Sequence, residues 1–218
     1  MRRAFALLVL LVVALPRPTH GEDGGRLWLR YDPIADAARR ASVRAAVTSI
    51  VMSPGSPTLR AAADELVTAT SGLLGAPVPL TDSVHADGAV VAGTPKSERL
   101  IAALGWTDPL AAIGNEGFLI RSARVGSHAV TVIAANTDIG VLYGAFHFLR
   151  LIQTGAPIAN LNVSSRPRLG LRLLDHWDNL DGSMERGYAG KSTGGPIRTR
   201  VRSCTRGRMR RSASTASS

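Results

Sequence analysis

Apolar residues recur every three or four positions in two long segments of the chain, which predicts two amphipathic helices. The first follows Ser56-Pro57, a pair typical of a helix start because serine caps the first turn and proline suits the first helical position. This helix is predicted to end at Gly75 and to bury Leu59, Ala62, Ala63, Leu66, Thr70 and Leu73. The second is predicted between Thr137 and Gly155, with an apolar stripe of Ile139, Leu142, Tyr143, Phe146 and Leu149.

Short apolar or alternating runs between these helices predict strands. The predicted strands are Arg26–Tyr31, Val43–Met52, Gly88–Gly93, and a pair, Gly117–Ser122 and Ser127–Ala135, joined by a turn at Ala123–Gly126. Thr94-Pro95 predicts the start of a further helix that ends at Gly105. Strands and helices that alternate in this way predict a two-layer α/β domain, a sheet with helices on one face.

The positive charge of the chain is concentrated at its C-terminal end. The 218 residues carry a formal net charge of +10, but seven arginines and no acidic residue fall within 192–218. The rest of the chain is therefore nearly balanced in charge, and no nucleic-acid partner is expected for it. Because residues 192–218 show neither apolar periodicity nor an aromatic residue, we favour a frameshift near position 192. The alternative is a genuine basic arm that binds a polyanion.

The first residues have the pattern of a secretory signal peptide. Met1-Arg2-Arg3 precedes an unbroken run of 12 apolar residues from Ala4 to Leu15, followed by prolines and polar residues. Such a run is too short to cross a bilayer as a helix. We expect cleavage near Gly21, a secreted or periplasmic protein, and no membrane attachment after cleavage. The single cysteine, Cys204, leaves the body of the protein without a disulfide.

Residues 26–155 contain no recognisable catalytic arrangement. His128 and His147 lie in a predicted strand and a predicted helix, at positions that suit packing or surface exposure. Neither has Cys, Asp or Glu beside it at metal-ligand spacing, and the phosphate-binding loop pattern is absent. No metal or other cofactor is therefore expected.

The pattern changes after Gly155. A polar link around Ser164–Arg168 precedes an apolar strand, Leu169–Leu174, and the polar and aromatic residues 175–179 follow at once. Such residues at the carboxyl end of a strand are typical of a (β/α)8 barrel, in which the loops after the strands build the site. The segment predicts the first strand of a barrel that this chain leaves incomplete.

Four segments carry a resemblance to a known family: "EDGGRLWLRYDPI", "NEGFLIRS", "NTDIGVLYGAFHFLRLIQTG" and, most specifically, "LDHWDNLDGSMERGYAGKS". In this order they resemble the bacterial and fungal α-glucuronidases of glycoside hydrolase family 67. The resemblance implies an α/β domain over 22–160, similar to the accessory domain of the β-hexosaminidases. It also implies that 161–191 are the first strand and loop of the catalytic barrel.

The resemblance implies hydrolysis of the α-1,2 bond of (4-O-methyl)glucuronic acid on glucuronoxylan-derived oligosaccharides. The resemblance also implies inversion of configuration, with acid and base carboxylates in later barrel strands, so no residue here inherits a catalytic role. Trp177, Glu185 and Arg186 match positions that imply contact with the substrate. Asp178, Asn179 and Asp181 either bind sugar hydroxyls or hold the loop together. The expectation is an inactive N-terminal fragment; the alternative is a secreted, non-catalytic module that binds carbohydrate or polyanions.

Overall fold

The computed structural model of the chain describes residues 30–172. The helices within these residues are α1 Ala37–Ala46, α2 Pro57–Leu74, α3 Arg99–Ala103, α4 Thr107–Ile113 and α5 Asp138–Thr154. The strands are β1 Ser49–Val51, β2 Leu80–Thr81, β3 Ala89–Gly93, β4 Phe118–Val125, β5 His128–Ala134 and β6 Asn162–Ser165. The expected α/β class is confirmed.

A sheet in the order β2-β1-β3-β5-β4-β6 organises the described residues. Neighbours among β2, β1, β3 and β5 are parallel, whereas β4 pairs antiparallel with both β5 and β6. The predicted pair of strands is confirmed as β4 and β5, but its turn is shorter than predicted, because Val125 already lies opposite His128. The turn is Gly126-Ser127, and Gly126 has φ +59°, a conformation that glycine adopts without steric cost.

The two predicted amphipathic helices are confirmed as α2 and α5. Ser56 caps α2, with its Oγ accepting a hydrogen bond from the N–H of Leu59 (3.1 Å). Gly75 ends α2 with φ +63°, and Thr137 and Gly155 have the corresponding roles at α5. All six predicted inward positions of α2 are buried. The two helices pack against each other over one face of the sheet.

Helices cover both faces of the sheet, which corrects the two-layer expectation. Val90 and Ala92 of β3 belong to a large core with α1, α2 and α5, whereas Ala89 and Val91 belong to a smaller core with α3 and α4. Alternate residues of a strand point to opposite faces, so the smaller core lies on the second face. The two short helices supply only three buried residues between them, too few to produce a periodic pattern in the sequence.

The segment Val43–Met52 divides between a helix and a strand and is not the single strand predicted. Val43 to Ala46 end α1, and only Ser49–Val51 forms β1. Contacts made by the arginines of α1 support the helical conformation. Arg44 Nη2 donates to the carbonyl oxygen of Leu74 (2.8 Å), and Arg39 donates to the carbonyl oxygen of Ile152.

The helix predicted from Thr94 begins later and is shorter. Thr94 and Ser97 form a closed turn, in which the N–H of each donates to the hydroxyl of the other (2.9 and 3.0 Å). Glu98 takes the capping position instead, and α3 follows it. The sequence also predicts a polar link at Ser164–Arg168, but Ser165 ends β6, which pairs with β4.

The predicted barrel strand Leu169–Leu174 is not formed over its described part. Leu169, Gly170, Leu171 and Arg172 carry no strand, and the side chains of Leu169 and Leu171 are 67% and 74% exposed. A strand needs a neighbour that satisfies its N–H and C=O groups, and none of residues 30–168 supplies one here.

The N-terminal strand predicted at 26–31 lies mostly outside the described residues. Arg30 and Tyr31 are not in a strand; Tyr31 is buried, and its hydroxyl donates to Glu65. The signal-peptide segment and the arginine-rich segment also lie outside. Across residues 30–172, no helix has the length and apolar character needed to span a membrane.

Candidate functional site

The substrate-binding residues predicted from the sequence lie outside the described residues. These are Trp177, Glu185 and Arg186, together with the loop residues Asp178, Asn179 and Asp181. Candidate chemistry within 30–172 is found in four places: the carboxyl ends of the parallel strands, an open groove, two histidines, and the second face of the sheet.

The carboxyl ends of β1, β3 and β5 are adjacent, and sheets of this kind commonly bind ligands at such an edge. The polar side chains at this edge form hydrogen bonds within the protein. Ser53 Oγ donates to Glu98 Oε2 (3.3 Å), and Glu98 Oε1 accepts from the N–H of Leu100 (3.3 Å) at the start of α3. Glu98 is only 5% exposed, so this carboxylate serves as a buried helix cap.

A hydrogen bond joins the N-terminal ends of the two long helices. Ser56 Oγ donates to Asp138 Oδ2 (2.6 Å) while it also accepts from the first turn of α2. Asp138 lies in the first turn of α5, where the positive end of the helix dipole favours a carboxylate. A carboxylate of the protein therefore already serves both helix ends, the position at which an external anion would otherwise bind.

An open groove of about 360 Å³ lies beside the first described residues. Two basic and two acidic side chains are among its walls: Arg30, Asp32, Asp36 and Arg39. Asp36 Oδ1 accepts the N–H of Arg39 (2.8 Å) as the cap of α1, and the Arg39 guanidinium donates to a carbonyl at the end of α5. The groove has balanced charge, and two of its four charged side chains hold helix ends, so its charges do not select a ligand of either sign.

The two histidines have structural surroundings, as the sequence predicted. His128 Nδ1 lies 3.3 Å from Asp87 Oδ1, which also accepts the N–H of Ala129 (2.9 Å). The hydrogen bond from Ala129, and then the one from His128, hold the pKa of Asp87 below its ordinary value.

The His147 ring lies 5.2 Å, centroid to centroid, from the Phe118 ring. Burial lowers the pKa of His147, and the positive charge of Arg150 lowers it further. Among the described residues, no group of three or more His, Cys, Asp or Glu side chains is placed to hold a metal ion. Neither histidine is therefore part of a metal cluster within residues 30–172.

The second face of the sheet holds a pair that the sequence analysis missed. The Cζ atom of Arg121, in β4, lies 5.5 Å from the centroid of the Trp106 ring at the start of α4. Both side chains are half-buried, and Arg121 Nε is buried with no hydrogen-bond partner within the described part of the chain. The available signal was a cationic residue placed directly after the buried apolar run Phe118–Ile120 at the start of β4.

Comparison with known proteins places the chain in a family. Residues 27–148 match the Glycosyl hydrolase family 67 N-terminus, and residues 151–218 match the Glycosyl hydrolase family 67 middle domain. The chain belongs to glycosyl hydrolase family 67. This confirms the resemblance described from the sequence. The second match runs to Ser218, so its range includes the arginine-rich segment 192–218.

Relatives of this family 67 chain include curated fungal proteins. One is the probable alpha-glucuronidase A of Aspergillus oryzae, 30% identical over 195 residues, which are 88% of this chain and 22% of that protein. Another is the alpha-glucuronidase A of Emericella nidulans, 31% identical over 201 residues, with the same shares of 88% and 22%. The family 67 chain therefore spans about a fifth of the length of these relatives.

One solved structure resembles this family 67 chain with a TM-score of 0.52 at 17% identity. It is a family GH115 4-O-methyl-alpha-glucuronidase with specificity for decorated arabinogalactans. The alignment covers 75% of this chain and 24% of that one. At this identity the likeness concerns the fold alone.

Proposed function

We propose that this chain is the N-terminal part of an α-glucuronidase that removes (4-O-methyl)glucuronic acid from xylo-oligosaccharides in xylan breakdown. The supporting observation is its alignment, over 88% of its length, with proteins named alpha-glucuronidase. Because the chain spans only 22% of those proteins, we propose that the catalytic carboxylates lie beyond the region it matches, and that the chain alone is inactive.

In this proposal, residues 22–160 together with β6 form an accessory domain, comparable to that of the β-hexosaminidases, and a catalytic barrel follows it. Trp177, Glu185 and Arg186 would contact the sugar at the start of the barrel. The surroundings of Glu98 and Asp138 support this division, because Glu98 caps a helix and Asp138 accepts a hydrogen bond from Ser56. An inverting hydrolase needs two carboxyl groups about 6.5–9.5 Å apart with a water between them.

We further propose that residues 1–21 direct export and that the mature protein is secreted or periplasmic. Twelve apolar residues after an Arg-Arg start support this part of the proposal. The measurement is the N-terminal sequence of the protein recovered from the medium or periplasm of the producing cell, which we expect to begin near Glu22. Recovery of the protein only inside the cell, with Met1 retained, contradicts it.

The activity test measures release of glucuronic acid from a xylotriose that carries one α-1,2-linked uronate. We expect no release by this chain. We expect release by a longer chain whose reading frame, resequenced across codons 185–218 and beyond, continues through the remaining barrel strands. Hydrolysis by the present chain would refute the proposed absence of catalytic groups. An inactive chain with a complete barrel would refute the proposed activity.

A second candidate function is a non-catalytic module that binds carbohydrate or a polyanion, and the seven arginines of 192–218 favour its polyanion form. Retention on glucuronoxylan distinguishes the two forms. Binding through arginines falls steeply as salt rises to about 1 M, because charges are then screened beyond about 3 Å, whereas stacking and hydrogen bonds to sugar persist. Equal retention by a chain that ends at Lys191 would exclude the arginine segment as the cause.

A further inference from the structure

Arg121 is an unusual residue for its position in the sheet. It follows three fully buried residues of β4, and its side chain lies on the same face as Leu119, which belongs to the smaller core. A guanidinium is always charged, so it needs water, a protein carboxylate or a bound anion around it. The backbone of Arg121 pairs with β5 and β6, but within residues 30–172 its guanidinium makes no hydrogen bond or ion pair.

The surroundings of Arg121 are poor in negative charge. The strands β4, β5 and β6, which form this end of the sheet, contain no acidic residue. Asp108, two positions after Trp106, is exposed in the first turn of α4 and forms no ion pair with Arg121. The protein therefore leaves the positive charge of Arg121 uncompensated at the described part of this face.

Three further side chains share this face with Arg121. The Trp106 ring lies under the guanidinium, which fixes the orientation of the cation. On the edge strand β6, Asn162 lies opposite Arg121 and Ser164 lies opposite Leu119, and both polar residues are exposed. Residues opposite each other in an antiparallel pair have side chains on the same face, about 5 Å apart at Cβ.

We propose that Trp106, Arg121, Asn162 and Ser164 form a second, non-catalytic binding surface for the uronate unit of an acidic oligosaccharide. The guanidinium binds the carboxylate, because its planar N–H groups match the two carboxylate oxygens. The indole contributes an apolar edge beside the C–H groups of the sugar ring, and the amide and hydroxyl of β6 bond to ring hydroxyls. The choice of a sugar over another carboxylate rests on the proposed function.

We assign this surface a task separate from hydrolysis. It lies on the face of the sheet covered by α3 and α4, and the catalytic carboxylates are proposed to lie beyond the region that this chain matches. A weak site for uronate side groups keeps the protein on a decorated polysaccharide between cleavage events. Weak affinity suits this role, because a protein that bound the polysaccharide tightly could not be released from it.

The test is a titration of the isotope-labelled full chain, followed by NMR at the Trp106 indole N–H and the Arg121 Nε–H. The probes are xylotriose with one glucuronic acid branch, plain xylotriose, and inorganic phosphate. For the branched sugar we expect a Kd of about 1 mM, with both signals shifting together. Plain xylotriose and phosphate are expected to bind at least about tenfold more weakly, a difference typical of one charge-assisted contact.

The matched variants are Arg121→Gln and Arg124→Gln, which remove the same charge from the same strand on opposite faces. We expect Arg121→Gln to weaken binding at least about tenfold and Arg124→Gln to leave it within about twofold. If Arg121→Gln does not fold, as judged by circular dichroism, Arg121→Lys keeps the charge without the planar fork and is expected to bind about fivefold more weakly.

Several results would overturn the inference. One is binding of plain xylotriose or phosphate as tight as that of the branched sugar, and another is an equal weakening of binding by Arg121→Gln and Arg124→Gln. A titration in which only residues remote from Trp106 and Arg121 shift would also contradict it. The titration needs no hydrolysis, so it separates this inference from the proposed function. In a complete chain, Arg121→Gln should leave hydrolysis of the short branched xylotriose unchanged. Conversely, a chain without hydrolytic activity can still bind the sugar at this surface.

Discussion

Gly144 lies in the middle of α5, where this helix crosses the sheet. A Cβ atom at this position would be 2.6 Å from Ile133 Cγ2 and 3.2 Å from Phe118 Cβ. Both neighbours are in the core, with exposed fractions of 0% and 1%. We therefore predict that Gly144→Ala lowers the free energy of unfolding, although alanine is the better helix former.

Two effects of opposite sign decide the magnitude for Gly144→Ala. Alanine stabilises a helix interior by about 1 kcal/mol relative to glycine. An added methyl group in a packed core costs about 1–3 kcal/mol. The upper end applies because Ile133 is β-branched and stiff at χ1, and its strand is held between β3 and β4. The net loss is about 2 kcal/mol, or a Tm lower by about 5–10 °C.

The assay is equilibrium unfolding in urea, followed by far-ultraviolet circular dichroism. Gly55→Ala is the matched control, because Gly55 has open space around its Cβ position and no left-handed φ. We expect its change in unfolding free energy to stay within about 0.5 kcal/mol. A Gly144→Ala variant as stable as the parent, or more stable, would show that the helix moves away from the sheet at little cost, and the reasoning would be refuted.

Two other predictions concern the helix cap and the buried histidine. Ser56→Ala removes the cap of α2 and the hydrogen bond to Asp138, so we expect the free energy of unfolding in urea to fall by about 1–2 kcal/mol. Ser56→Thr keeps a hydroxyl and should restore most of this stability. Equal losses in the two variants would contradict the role of the Ser56 hydroxyl as a cap. Burial lowers the pKa of His147 from 6.5, so the unfolded chain takes up its proton first as pH falls. The contribution of His147 to the free energy of unfolding is therefore complete above about pH 6.5 and declines below it. The urea midpoint should fall less between neutral and acidic pH in His147→Gln than in the parent. The same pH profile in both proteins would contradict the prediction.

The helices α2 and α5 could be predicted because their signals are local. Ser56, Pro57 and Gly75 act within one turn of the helix they delimit, and the apolar period of α2 is present in its own 18 residues. The close approach at Gly144 could not be predicted, because it depends on Ile133 and Phe118, which belong to other elements.

The elements that the sequence analysis missed depend on partners distant in the chain. The segment "NVSS" of β6 has a weak strand pattern and becomes a strand by pairing with β4, about 40 residues earlier. The end of α1 reads as a strand in isolation, but Arg44 ties it to the carbonyl of Leu74, 30 residues away. In both cases tertiary contacts outweigh local preference.

The two candidate sites also differ in whether the sequence alone could identify them. Trp177, Glu185 and Arg186 were identified by resemblance to a family, and the match of residues 151–218 to that family covers them. The surface of Trp106, Arg121, Asn162 and Ser164 combines three elements spread over 59 sequence positions. Only the pairing register of β4 with β6 brings its polar residues beside the guanidinium.

The position of β6 at the end of the sheet has a consequence for synthesis of the protein. β4 and β5 can close their hairpin in about 1–10 μs once both have left the ribosome. The outer edge of β4 must wait for β6, and residues 126–161 separate them; at about 5–20 residues per second this takes roughly 2–7 s. During that interval an unpaired strand edge is open to pairing with another chain. The nascent domain is therefore vulnerable to aggregation until β6 emerges, and slow translation across these codons prolongs the exposure.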